Sequence, residues 1–139
     1  MTNNNMYFVA NWKMFGDLAS INSINNVIKL AKSKKFRKIK IVYCPPYTLL
    51  EAFVKKTKNS YISVGAQNCH HEIEYGAYTG FINSKMIKNI GSKFVIIGHS
   101  ESRQDGDTDS KINLKIKSAL KSNLKIIFCI GESLKDRRK

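Results

Sequence analysis

Two short stretches hold the side chains best placed to do chemistry. Asn11 and Lys13 follow an apolar run, Tyr7–Ala10, and His99 and Glu101 follow another, Phe94–Ile97. A lysine at such a position can meet an anionic substrate. A histidine there can exchange protons near neutral pH or polarise a carbonyl. Each residue also has an ordinary reading. A strand-end lysine is commonly a solvated surface group and a lone histidine is commonly structural. A glutamate at a helix start simply complements the helix dipole. Position therefore matters more than residue type, and position depends on the elements that carry these residues.

Short apolar runs alternate with longer helical stretches. Tyr7–Ala10, Ile39–Tyr43, Tyr61–Ala66, Phe94–Ile97 and Ile126–Ile130 are short and β-prone and read as strands. Pro45 and Pro46 stop the second. Asp17 is placed to cap a helix in which Leu18, Ile21, Ile24, Val27, Ile28 and Leu30 recur near helical spacing. Further helices are expected from Thr48 to about Lys56, from an Asn83 cap through Ile90 to Gly91, and from Asp109 to Lys121, with Ile112, Ile116, Ala119 and Leu120 on one face. The stretch from Gln67 to Gly80 is longer than a plain connector needs.

Strands that are apolar along their whole length, separated by helices, predict a parallel sheet covered on both faces. That is an α/β chain. A doubly wound sheet and a (β/α)8 barrel both satisfy the pattern, although no glycine-rich phosphate motif follows the first strand. No linker or internal boundary divides residues 1–139, which are expected to form a single domain. In a barrel the reactive groups sit at the carboxyl ends of the strands, where Asn11, Lys13 and His99 fall.

The formal net charge is +14, from 24 Lys and Arg against 10 Asp and Glu. Such an excess can mark a nucleic-acid or membrane partner. Here Lys29, Lys32, Lys34, Lys35, Lys55, Lys56 and Lys58 fall at expected helix ends without interleaved aromatics, where cations complement the dipole, so no nucleic-acid partner is expected. Cys44, Cys69 and Cys129 have neither zinc-like nor redox spacing. No metal and no cofactor are expected. The polar start lacks the features of a signal peptide and no apolar run approaches a membrane span, so a cytoplasmic location with no membrane partner is the expectation.

Complete strings carry more than single residues. Val9-Ala10-Asn11-Trp12-Lys13-Met14 resembles the opening motif of the triosephosphate isomerase family. Gly65-Ala66-Gln67-Asn68 with Gly76-Ala77-Tyr78-Thr79-Gly80 resembles its third, subunit-contacting loop. Val95-Ile96-Ile97-Gly98-His99-Ser100-Glu101 resembles the strand and turn that carry its electrophilic histidine. Cys44-Pro45-Pro46 and Cys129-Ile130-Gly131-Glu132 match the ends of its second and fifth strands, and all the motifs occur in family order.

The resemblance implies an incomplete (β/α)8 barrel covering about the first five strands and four helices. It implies an enzyme interconverting dihydroxyacetone phosphate and D-glyceraldehyde 3-phosphate through an enediolate, a step of glycolysis and gluconeogenesis, and a homodimer in the complete protein. Asn11 and Lys13 would contact the phosphorylated triose, with Lys13 supplying positive charge where the transition state becomes negative. His99 would be the electrophile, Glu101 a supporting residue near Lys13, and Thr79 a loop residue reaching toward a partner subunit. The family pairs a neutral histidine at a helix N-terminus with a glutamate base. That glutamate follows the sixth strand, and the phosphate-binding amides come from later loops. A whole barrel takes about 250 residues, so these 139 residues are expected to hold the electrophilic side of the site without the base, and to have little activity alone. The alternative is a non-catalytic half-barrel that binds phosphate or a partner.

Two departures from the family pattern stand out. Phe81 follows Thr79-Gly80 where a glutamate is usual, and Ser102 precedes Arg103 where a second arginine-like residue is usual. In many family members these two positions form a charged pair, and replacing both members is cheaper than replacing one because no charge is left unpaired. The segment Gln104–Asp109 also reads as about one residue shorter than common versions. A half-barrel would further leave its first and fifth strands as open edges with uncovered apolar inner faces.

Overall fold

The computed structural model describes residues 5–33, 38–132 and 137–138. Lys34 and Lys35, read above as helix-end cations, lie outside the described residues. Five strands form one sheet in sequence order: β1 (Met6–Asn11), β2 (Ile39–Cys44), β3 (Ile62–Ala66), β4 (Phe94–Ile97) and β5 (Lys125–Phe128). Every neighbouring pair is parallel. Registers such as Asn11 with Cys44, Ala66 with Val95 and Ile97 with Phe128 bring the carboxyl ends to one side. Unbroken order, parallel strands and helical crossovers make this a curled segment of a (β/α)8 barrel, as the apolar runs and the family resemblance predict.

Alternation along the strands sorts side chains into two cores. On the outer face, Val64, Ala66, Val95 and Ile97 pack with Leu49, Leu50, Phe53 and Ile87 from the helices. On the inner face, Val42 and Cys44 meet Phe94 and Ile96, with Ile127 and Cys129 against them. The sheet is therefore apolar on both sides for a period-two reason, which is why β4 reads as a continuous run.

The helices are α1 (Asn25–Ala31), α2 (Tyr47–Thr57), α3 (Ser84–Asn89), α4 (Ser100–Gln104) and α5 (Asp109–Lys121). Asp17 does form the expected cap, accepting from the Ser20 N–H at 2.9 Å while Ser20 Oγ accepts from the Asp17 N–H at 3.1 Å. The next residues, Ala19–Ile24, wind as a 3-10 helix before the α-helix begins. Of the predicted stripe, Ile21 and Ile24 are buried, whereas Leu18 and Leu30 are exposed. Asn83 caps α3 through the Met86 N–H at 2.8 Å. Thr108 caps α5 through the Lys111 N–H at 3.3 Å.

Two features depart from the sequence reading. α4 was not among the helices read from periodicity, because its five polar residues show none, although Glu101 was also read as a helix-start carboxylate. In α5, Leu120 is exposed and Lys115 is buried beside Ile112, Ser118 and Ala119. Lys115 is inside because its ammonium meets Asp107 at 2.6 Å and Asn68 Oδ1 at 3.1 Å, and a charge is tolerated there only when so paired. β1 behaves as expected: it is apolar like β4 but not covered like it. Met6, Tyr7, Phe8 and Val9 are all exposed, because β2 is the one strand beside it among the described residues. Open edges at β1 and β5 are what a half-barrel is expected to present.

Candidate active site

The end of β1 is held by ring packing and by backbone. Trp12 sets its indole edge-on against Phe53, with centroids 5.0 Å apart, and the Trp12 backbone N–H extends the ladder to the Cys44 carbonyl at 3.0 Å. The chain then turns sharply at Lys13, whose φ of +53° lies in the left-handed region that a non-glycine residue adopts only when its surroundings hold it there. Two bonds do so. Asn11 Oδ1 accepts from the Lys13 N–H at 3.0 Å, and Gln67 Nε2 donates to the Lys13 carbonyl at 2.8 Å. Asn11 is thus partly a backbone brace for Lys13.

At the end of β4, Gly98 turns the chain into α4 with φ +78°. A β-carbon there would lie 3.0 Å from the Cys129 carbonyl and 3.3 Å from Arg103, so a larger residue is opposed by both conformation and space. Arg103 Nε returns to the Gly98 carbonyl at 2.9 Å and its guanidinium pairs with Asp109 at 2.7 Å. His99 is the N-cap of α4: its Nδ1 accepts from the Glu101 N–H at 3.3 Å. A proton on Nδ1 would face that N–H head-on. This bond therefore assigns the lone pair to Nδ1 and the proton of the neutral ring to Nε2.

Glu101 joins the two strand ends. One carboxylate oxygen lies 2.8 Å from Lys13 Nζ and the other 3.4 Å from His99 Nδ1. The bond from Lys13 is the main reason its carboxyl titrates below the usual range, with burial opposing it and the lysine's charge adding to it. Lys13 and Glu101 are both about half exposed, so the pair adds little to stability. What it fixes is where the ammonium points.

The structure therefore brings Lys13, Glu101 and His99 into one cluster, with Asn11 behind Lys13. Thr79 lies on an exposed run from Glu74 to Phe81, and among the described residues it makes no hydrogen bond with any member of the cluster. Phe81 and Ser102 have each acquired their own neighbour. The Phe81 ring lies 4.7 Å from His70, and Ser102 Oγ accepts from Asn68 at 3.5 Å. Cys129 lies half-buried against the inner core. Glu132 pairs loosely with Arg137 at 3.7 Å. Among the described residues, no group of three or more His, Cys, Asp or Glu side chains is arranged to hold a metal ion.

Sequence reasoning assigned no role to Gln67 or to the Asp107–Lys115 pair. Gln67 carried a usable signal, a polar residue directly after a wholly apolar strand. The buried pair carried none, since its partners lie on different elements.

Residues 6–139 match the family model described as Triosephosphate isomerase. The chain belongs to the triosephosphate isomerase family. A triosephosphate isomerase of Alkaliphilus oremlandii is 43% identical over 128 residues, covering 91% of this chain and 50% of the relative. One from Clostridium botulinum is 45% identical over 128 residues with the same coverage. The crystal structure of triosephosphate isomerase from Bartonella henselae superposes with a TM-score of 0.86 at 33% identity, covering 95% of this chain and 54% of that one. The chain thus spans about half the length of the triosephosphate isomerases it matches. Among the described residues no helix is long and apolar enough to cross a membrane.

Proposed function

We propose that this chain supplies the electrophilic half of a triosephosphate isomerase site, acting on dihydroxyacetone phosphate and D-glyceraldehyde 3-phosphate in glycolysis and gluconeogenesis. The observation that carries the reading is the cluster of Lys13, Glu101 and His99 at the carboxyl ends of β1 and β4. In this reading the His99 Nε2–H polarises the substrate carbonyl and then passes its proton between the two oxygens of the enediolate. Lys13 releases Glu101 and turns its ammonium to the phosphate and the developing oxyanion, where a fixed positive charge lowers the barrier. Asn11 contacts the substrate while bracing Lys13. The proton on carbon is removed by a carboxylate base that the family carries after its sixth strand, outside these 139 residues. By itself, this half binds and polarises without turning over. The exposed loop bearing Thr79 is the subunit contact of a homodimer once the barrel is complete, and the compartment is the cytoplasm.

The test is binding of 2-phosphoglycolate, an anion with the charge pattern of the enediolate, followed by NMR. Added ligand is expected to shift the Lys13 and His99 signals, and Lys13→Met is expected to abolish the effect. Shifts confined to other lysines, or retained in Lys13→Met, would contradict the assignment and favour a phosphate-binding half-barrel with no catalytic ancestry in these residues.

A further inference from the structure

Gln67 stands just past β3, and its carboxamide spans two other strand ends. Nε2 donates to the Lys13 carbonyl at 2.8 Å and to the Cys44 carbonyl at 2.8 Å. The Cys44 carbonyl also accepts from the Trp12 N–H at 3.0 Å, so it keeps a partner without Gln67. Among the described residues, no other donor is recorded for the Lys13 carbonyl. The adjacent residue, Asn68, reaches the opposite way: Oδ1 accepts from Lys115 at 3.1 Å, Nδ2 donates to Ser102 at 3.5 Å, and its carbonyl accepts from the Tyr47 hydroxyl. The Gln67–Asn68 dipeptide therefore links the Lys13 turn on one side to α4 and α5 on the other. Glu101, the ion-pair partner of Lys13, sits on α4.

We propose that Gln67 is a positioning residue for Lys13, its carboxamide holding the lysine in left-handed backbone geometry so that the ammonium points at Glu101 and the substrate site. The argument is one of strain. A lysine at φ +53° returns to ordinary backbone angles unless something holds both ends of its peptide unit. Asn11 secures the N–H and Gln67 secures the carbonyl. With the carbonyl released, the turn relaxes, and a side chain as long as lysine amplifies a small backbone rotation into a displaced ammonium. The direction of the ammonium matters for catalysis only on the functional reading above, but the geometric claim stands apart from it.

The experiment compares the 139-residue chain with its Gln67→Leu and Gln67→Met variants, the second being close in length, uncharged and without a donor. The readout is the 13C titration of the Glu101 carboxyl, with Lys13→Met as the reference for complete loss of the pair. Both Gln67 variants are expected to move the Glu101 midpoint up, toward the Lys13→Met value, and to speed acetylation of Lys13 several-fold. In a barrel completed by the C-terminal half of a relative, kcat is expected to fall by about 10–100-fold with a smaller change in KM, the scale associated with misplacing a reacting group by about 1 Å. A parental Glu101 titration in both variants overturns the proposal, as does failure of both variants to fold while Lys13→Met folds, since Gln67 is then a structural brace. A shifted titration in a chain that never binds 2-phosphoglycolate leaves the positioning role standing and overturns the functional reading instead.

Discussion

β1 and β4 are built from similar residues, yet they sit in opposite surroundings. Phe94, Val95, Ile96 and Ile97 are no more than 8% exposed, whereas Met6, Tyr7, Phe8 and Val9 are each at least 39% exposed. β4 lies between β3 and β5, and β1 pairs with β2. An apolar run states what a strand needs; its neighbours decide whether the need is met. The two halves of the candidate site inherit this difference. His99 leaves a strand buried on both faces and caps its own helix. Lys13 leaves an edge strand and is held by Trp12, Asn11 and Gln67 reaching it from nearby.

The largest effect expected from this contrast is on stability. Ile97→Ala, at a site 1% exposed, should cost about 2–5 kcal/mol, while Val9→Ala, at a site 39% exposed, should cost well under about 1 kcal/mol by urea unfolding. Similar losses at the two sites would mean that β1 is covered in solution. Next in size is the buried pair. Lys115→Met strands the Asp107 carboxylate and should cost about 3 kcal/mol, and adding Asp107→Leu should recover part of the loss. A double variant worse than the single one would mean that the pair contributes more than its own desolvation penalty.

Much of this architecture was legible beforehand, for identifiable reasons. Five strands and four helices announced themselves through apolar spacing and caps, and Asn83 and Asp17 act as their types predict. The strings around Asn11 and His99 gave the cluster, because strand ends in a parallel sheet converge on one side. α4 was hidden because it is short and polar. Lys115 went unassigned because its partner lies in the preceding loop, and the fit of Gln67 to two carbonyls depends on three strands meeting. Sequence shows what each element offers; it does not show pairings between elements that periodicity leaves unlinked.

Thiol chemistry gives a smaller contrast. Burial pushes Cys44 and Cys69 up to about 12, and it raises Cys129, which is only half-buried, less strongly. In the native chain iodoacetamide should label Cys129 first, and Cys44 and Cys69 only at the rate of opening. Early labelling of Cys44 would show that the inner face is open to solvent. The smallest effect concerns pH. With its folded pKa lowered by Lys13, Glu101 contributes above the unfolded carboxylate range and loses that contribution as pH falls through the lowered folded value. Because the pair is exposed, acid should release Lys13, seen in its Nζ NMR signal, with little change in overall stability.

The central claim is that this chain holds the polarising half of an isomerase site and needs a base from elsewhere. The most direct test mixes it with the C-terminal half of the Alkaliphilus oremlandii relative and follows interconversion of dihydroxyacetone phosphate and glyceraldehyde 3-phosphate. The expected result is no turnover from either part alone and measurable turnover from the mixture, lost in His99→Gln and in Lys13→Met. Turnover at a normal enzymatic rate by the 139-residue chain alone, or rescue indifferent to His99 and Lys13, would contradict the account.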